Sequence, residues 1–236
     1  MSMSAPAMMR LDAIGKEFKT GTTRTIALEN IDLTIEVDEF LAIKGQSGSG
    51  KSTLLNILGL IDRASRGSIE WRGKSITSLG DAELTRLRRE QIGFVFQSFN
   101  LIEDLNIRQN IELPLRYRRL GASERRQRTD SILEQLDIAH RANHMPRQLS
   151  GGQQQRAAIA RAVVGQPALI LADEPTGNLD SANGAEVMEL LSDLNAAGTA
   201  IVMVTHSDVA AGYAKRTIEL RDGRRLEGDE GLPHQT

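Results

Sequence analysis

The stretch that most constrains this chain runs from Gly45 to Ser52, Gly-Gln-Ser-Gly-Ser-Gly-Lys-Ser. It fills every fixed position of the phosphate-binding pattern G-x-x-x-x-G-K-[ST]. The apolar run Phe40–Ile43 before it reads as a short buried strand, and Thr53–Gly59 after it reads as helix. Strand, glycine-rich turn and helix is the frame the motif requires. Its glycines let the backbone curl until several N–H groups address one phosphate chain with no Cβ in the way. The helix that follows turns its positive end to the same anion. The stretch therefore predicts a nucleoside triphosphate site. Gly45, Gln46, Ser47, Gly48, Ser49, Gly50 and Thr53 surround the phosphates, Lys51 sits between the β- and γ-phosphates, and Ser52 ligates Mg²⁺. An ordinary Gly/Ser loop is the bland alternative, and it has no need of the Lys-Ser pair in that frame.

Composition narrows the setting. A chain of 236 residues has room for one large α/β domain or two small ones. Its 29 basic and 31 acidic residues leave a net charge of −2, so no global basic field points to nucleic acid. There is no cysteine, which excludes a disulfide framework or thiolate metal site and fits a reducing compartment. No apolar run reaches the ~18 residues of a membrane helix. Met1–Met9 lacks a charged segment followed by an apolar core. The expectation is a cytosolic protein that meets a membrane only through a partner.

Arg10–Ile14 and Thr25–Val37 alternate as strands around a turn at Lys19–Thr23. Phe18, just before that turn, is one of few aromatics; local sequence favours the core over an exposed ring on which a base stacks. Trp71, in a glycine-bounded strand at 66–73, reads as a packing residue. Asp81 is placed to cap a helix over 81–91, and Ile92–Phe96 is a strand ending at Gln97. Gln97 is either an unremarkable residue or one that reaches a metal or attacking water.

Strand signals vanish over 98–165, which suggests an all-helical insertion. Its arginines, Arg116, Arg118, Arg119, Arg125, Arg126 and Arg128, read as a solvated helix face, with headgroup or partner contact as the alternative. His140 and His144 sit four apart with no third ligand near, which is weak support for a metal. At Leu149-Ser150-Gly151-Gly152-Gln153, Ser150 is a good N-cap. Two glycines in the first turn cost ~1 kcal/mol each, which a purely structural cap would not require. They predict a second anion site on backbone N–H groups. Ala168–Ala172 is a strand buried on both faces, ending in Asp173-Glu174. Those carboxylates divide the work: Asp173 holds the metal and Glu174 orients or deprotonates water. A helix spans about 182–197. Ile201–Val204 is another buried strand, ending Thr205-His206-Ser207, where His206 is either structural or a γ-phosphate contact. A hairpin turns at Asp222-Gly223.

Taken in order, Gly45–Ser52, Gln97, Leu149–Gln153, Ala168–Glu174, Asp180 and His206 resemble the ATP-binding-cassette (ABC) ATPase family over nearly the whole chain. The resemblance implies an α/β fold, a P-loop NTPase (RecA-like) parallel-sheet core with an N-terminal antiparallel β subdomain and an all-helical insertion. In residues this is a single domain: a core at 8–97 and 166–228, a helical part at 98–165, and flexible tails at 1–7 and 229–236. It implies an ATPase using ATP and Mg²⁺, with Glu174, His206, Gln97 and Lys51 catalytic and Ser52, Gln97 and Asp173 on the metal. It implies two copies closing head to tail, so that Ser150, Gly151, Gly152 and Gln153 meet the partner's ATP, and it counts Asp180 among the nucleotide-binding residues. Phe18 falls where the family carries an adenine-stacking aromatic.

Phe94–Leu101, Asn110–Leu115 and Ala172–Asp180 are similar to the macrolide-export and lipoprotein-release (MacB/LolD-type) branch. That similarity implies a transmembrane permease with a large extracytoplasmic domain, and through it a periplasmic adaptor. The chain would then be a peripheral protein on the cytoplasmic side of the inner membrane, soluble when isolated. Phe99–Leu101 and the insertion would dock the permease. A regulatory cassette of a cell-division-like complex is the alternative. A soluble repair or translation ATPase fits less well, since those carry coiled-coil insertions or fused cassettes for which this length has no room.

Overall fold

The computed structural model describes residues 7–21 and 23–226, so the tails expected at 1–7 and 229–236 lie outside the described residues except for Ala7. Ala7 is not a tail residue: it opens the first strand and pairs with Glu36. That strand, β1 (Ala7–Thr20), forms an antiparallel hairpin with β2 (Thr23–Glu36). The hairpin runs longer than the alternation at 10–14 and 25–37 suggests. Lys16–Thr20 is too polar to read as a strand, yet it pairs with residues 23–28 after register shifts between Leu11 and Glu17.

β3 (Phe40–Lys44) leads into α1 (Lys51–Leu58), and β4 (Arg66–Trp71) with β5 (Lys74–Ser75) adds to the hairpin sheet in the order β2-β1-β4-β5. Trp71 is buried in it. In α2 (Asp81–Gln91) the expected cap is corrected. Gly80 takes the cap position, with its N–H on Glu83 Oε2 at 3.2 Å, while Asp81 is drawn 2.7 Å from Arg63. β6 (Ile92–Phe96) follows directly.

Every element between 98 and 165 is helical: α3 (Ile107–Tyr117), α4 (Ala122–Gln135), two short 3-10 turns and α5 (Gly151–Val163). Most arginines here behave as a solvated face. Arg116 and Arg125 hold Glu112 at 3.1 and 2.9 Å, and Arg128 holds Glu124 at 2.7 Å. Arg118 departs from that pattern: it is half-buried and donates to the carbonyls of Arg89, Glu90 and Gly165, tying α3 to the ends of α2 and α5. His144 packs against Arg141 at 3.3 Å, and no metal-binding cluster exists among the described residues.

β7 (Leu169–Asp173), α6 (Ser181–Ala196), β8 (Ala200–Val204), α7 (Asp208–Ala211), β9 (Arg216–Arg221) and β10 (Arg224–Arg225) complete the chain. The second sheet has the order β10-β9-β3-β8-β7-β6, parallel from β9 to β6, with β10 antiparallel at the edge. Alternate strand residues point to opposite faces, so one sheet serves two cores. Ile43, Leu171 and Val202 pack with α1 and the hairpin sheet. Ala42, Ile170, Ala172 and Met203 pack with α3, α5 and α6.

Candidate functional site

Because β3, β6, β7 and β8 run parallel, their carboxyl ends share one edge, and ligands of such sheets bind at that edge. Gly45 follows β3, Gln97 follows β6, Asp173 ends β7 and His206 stands just beyond β8. A cleft of 820 Å³ opens there. Gln46, Ser47, Gly48, Gly50, Lys51, Ser52 and Thr53 line it together with Gln97, Asp173, Glu174 and His206. Thr25, Ile26 and Ala27 of β2 form a further wall that no sequence motif announced.

The loop's shape follows from its glycines. Gly45 has φ 151°, and a Cβ on it would lie 2.2 Å from the Leu220 carbonyl oxygen. Gly50 has φ 99°, and its Cβ would lie 2.6 Å from that of Ala27. Close backbone approach thus demands both glycines. Gly50 caps α1 without any side-chain hydrogen bond, so no side chain occupies the N–H groups of the first turn. Lys51 is buried, and its Nζ donates to the carbonyls of Gly45 at 2.7 Å and Gln46 at 2.8 Å. Gly45 and the buried Ser49 shape the loop from behind and do not line the cleft.

Burial pushes the Asp173 carboxyl up from its ordinary value. A hydrogen bond from Ser52 opposes this, Glu174 reinforces it and Lys51 opposes it again. A cation in the cleft would reverse the burial penalty. Carboxylate, hydroxyl and amide oxygens from Asp173, Ser52 and Gln97 share this cleft, a hard donor set that suits Mg²⁺.

Glu174 adopts φ 46°, with its N–H on Val204 O at 2.9 Å and its own carbonyl accepting from Gly177 N–H at 3.0 Å. Its carboxylate is fixed at three points. Thr205 Oγ1 donates at 3.3 Å, the His206 N–H at 3.4 Å, and His206 Nδ1 lies 2.8 Å away. The Glu174 side chain is 14% exposed and the His206 ring 70%, so the histidine is no core residue. Thr205, fully buried, escaped the motif reading. So did Asn178, which exchanges two hydrogen bonds with Gln97: Gln97 Nε2 to Asn178 Oδ1 at 3.3 Å, and Asn178 Nδ2 to Gln97 O at 2.9 Å.

Ser150, Gly151, Gly152 and Gln153 lie off the cleft. Ser150 caps α5, with Gln153 N–H on its Oγ at 3.3 Å and the reciprocal bond at 3.2 Å. Packing does require a glycine here, contrary to expectation: a Cβ on Gly152 would sit 2.3 Å from Asn183 Oδ1. Asn183 in turn bonds Asp180 through its backbone N–H at 2.9 Å and its amide at 2.7 Å. The backbone bond, then the side-chain one, holds the Asp180 carboxyl below its ordinary value. Asp180 lies outside the 820 Å³ cleft, in an adjoining groove that also contains Glu174 and His206.

The local expectation that Phe18 is a core residue is overturned: it is 44% exposed, with Lys16 Nζ 5.0 Å from the ring centre. It lies beyond the register shifts of β1, opposite Thr25 near the hairpin's turn. It does not line the cleft, although its strand partner Thr25 does.

Residues 28–177 match the family model described as ABC transporter. The chain is 49% identical over 216 residues to a macrolide export ATP-binding/permease protein MacB of Azoarcus, covering 92% of this chain and 33% of that protein. It thus spans about a third of the length of such relatives. It is 47% identical over 220 residues to an uncharacterized ABC transporter ATP-binding protein of Methanocaldococcus jannaschii, covering 93% and 98% of the two chains. Among solved structures it is similar to the ATP-binding cassette MJ0796, dimeric, in a post-hydrolysis state bound to ADP and Pi. There the TM-score is 0.88 at 43% identity, with 97% and 100% of the chains covered.

Proposed function

The chain belongs to the ABC transporter family, and from that premise we propose that it is the ATP-hydrolysing subunit of a membrane transporter of the MacB/LolD type. The observation that carries the reading is a division of residues. Lys51, Ser52, Gln97, Asp173, Glu174 and His206 share one cleft, whereas Ser150–Gln153 sit outside it on the cap of α5. The second set is of use to a nucleotide only if another copy brings its cleft to it. Two copies arranged head to tail complete two sites, in keeping with the dimeric cassette that is similar to this one.

In that arrangement the loop N–H groups and the open end of α1 bind the phosphates. Lys51 exchanges its two carbonyl partners for phosphate oxygens. Ser52, Asp173 and Gln97 would hold Mg²⁺, which neutralises phosphate charge when bound. Glu174, fixed by Thr205 and His206, orients the attacking water and accepts its proton. The partner's Ser150 hydroxyl and glycine N–H groups neutralise charge on the γ-phosphate side. Phe18 offers a ring face to the base. The insertion and the loop at Phe99–Leu101 dock a permease with a large extracytoplasmic domain, which carries the export or extraction step and recruits any periplasmic adaptor. This places the chain peripherally on the cytoplasmic face of the membrane.

The test is to capture tagged Glu174→Gln protein with Mg·ATP from detergent-solubilised membranes and identify what accompanies it. A permease with a large extracytoplasmic domain supports the transporter reading. A complex with a wall-hydrolase activator points to the regulatory one, and a soluble partner removes the membrane from the proposal.

A further inference from the structure

Helix α5 lies beside the loop that follows Gln97 at its first turn and is bonded to it at its last. At its first turn, the position of a Cβ on Gly151 lies 3.9 Å from the Phe99 ring. At its last turn, the Arg161 guanidinium donates to Phe99 O at 2.9 Å and also to Asn100 O. Phe99 and Asn100 are both left-handed, with φ 60° and 50°. Two consecutive L-residues in that region are uncommon, because Cβ crowds the following carbonyl. Among the described residues its other backbone bonds are local: Phe99 N–H to Phe96 O at 3.1 Å and Asn100 N–H to Ser98 O at 2.6 Å. A planar fork of donors suits two carbonyls presented side by side, as this turn presents them.

Burial alone lowers the Arg161 pKa, with no carboxylate among the described residues to offset it. A partly buried cation whose bonds among the described residues all go to main-chain carbonyls is a costly arrangement for a side chain with no task. Its two acceptors stand two and three residues past Gln97, whose amide is clasped by Asn178 at the cleft.

We propose that Arg161 is a positioning residue for Gln97: by clamping the Phe99–Asn100 turn in its left-handed form, it holds Gln97 at the cleft and ties that position to α5. The clamp rests on the reading of Gln97 as a residue of the ATP site. In it, the helix that caps at Ser150 and the loop that delivers Gln97 move as one body.

The experiment compares Arg161→Met, Arg161→Lys, Gln97→Ala and the Gln97→Ala/Arg161→Met double variant of the full chain, by kcat, KM and binding of a fluorescent ATP analogue. Arg161→Met is expected to lower kcat about ten- to a hundredfold with analogue affinity unchanged. The double variant should be no slower than Gln97→Ala alone, since both act through one group. Adding Asn100→Gly to Arg161→Met should restore much of kcat, because glycine adopts the left-handed form without a clamp. If Arg161→Met does not fold, Arg161→Lys keeps charge and stem but lacks the fork, and the same comparisons are read on it. Unchanged kcat in the Arg161 variants, multiplied losses in the double variant, or no rescue by Asn100→Gly each overturn the clamp. If Gln97→Ala itself runs at the wild-type rate, the role of Gln97 falls and the clamp falls with it.

Discussion

His206 Nδ1 lies 2.8 Å from Glu174 Oε1, and the same carboxylate takes the Thr205 hydroxyl and the His206 N–H on its other oxygen. The two residues just past β8 thus aim the residue just past β7. Two strands paired in parallel register, with Asp173 opposite Val204, make the contact unavoidable.

Glu174→Gln keeps shape and volume but removes the basic oxygen. ATP binding should persist, steady-state turnover should fall about 10²- to 10⁴-fold, and a nucleotide-bound dimer should accumulate on size-exclusion chromatography. Phosphate release at the wild-type rate would take Glu174 out of the role.

His206→Ala removes one of three supports of that carboxylate and leaves the fold untouched, because the ring is largely exposed. Turnover should drop about ten- to a hundredfold with an unchanged melting temperature. A variant with normal kcat would reduce the histidine to a bystander.

Lys51→Ala deletes a charge-assisted contact to phosphate worth roughly 1.5–3 kcal/mol. ATP affinity, read by isothermal titration calorimetry, should weaken about ten- to a hundredfold. Equal affinity in wild type and variant would sink the assignment.

Asp173 gives a pH-dependent prediction. Its folded pKa is raised, so the folded state holds a proton that the unfolded chain releases, and stability falls as pH rises from the unfolded value through the folded one. Asp173→Asn should therefore raise the apo melting temperature at neutral pH. The gain should shrink as pH falls towards the ordinary carboxylate value of about 3.9. The same change should abolish stabilisation by Mg·ATP. A variant no more stable than wild type at neutral pH would contradict the burial argument.

Gly152→Ala brings a methyl group onto Asn183 and should cost about 1–3 kcal/mol of stability. Asn183→Ala should relieve the clash. If the double variant regains stability but not turnover, the glycine serves nucleotide as well as packing. If it regains both, packing was its whole purpose.

Local motifs made the chemistry legible. Gly45–Ser52 and Asp173-Glu174 are each contiguous, and each sits where a strand ends, so neighbours in sequence supply all the signal required. What stayed hidden depends on residues that meet only in the fold. Gln97 and Asn178 pair across 81 positions, and Gly152 meets Asn183 across two helices. The exposure of Phe18, against the core position that its local sequence favours, is hidden for a related reason. The residue lies in a polar strand end beyond the register shifts of the hairpin, which a reading of the strand alone does not reveal.

The separation of Ser150–Gln153 from the cleft has a kinetic meaning under the head-to-tail reading. A lone copy holds fuel without an igniter, so its rate law is second order in protein and dilution is its resting state. Tethering two copies side by side raises their mutual concentration to about the millimolar range. A membrane partner that did nothing but hold them together would already act as a throttle, sparing the cell the hydrolysis of ATP by cassettes that have nothing to drive.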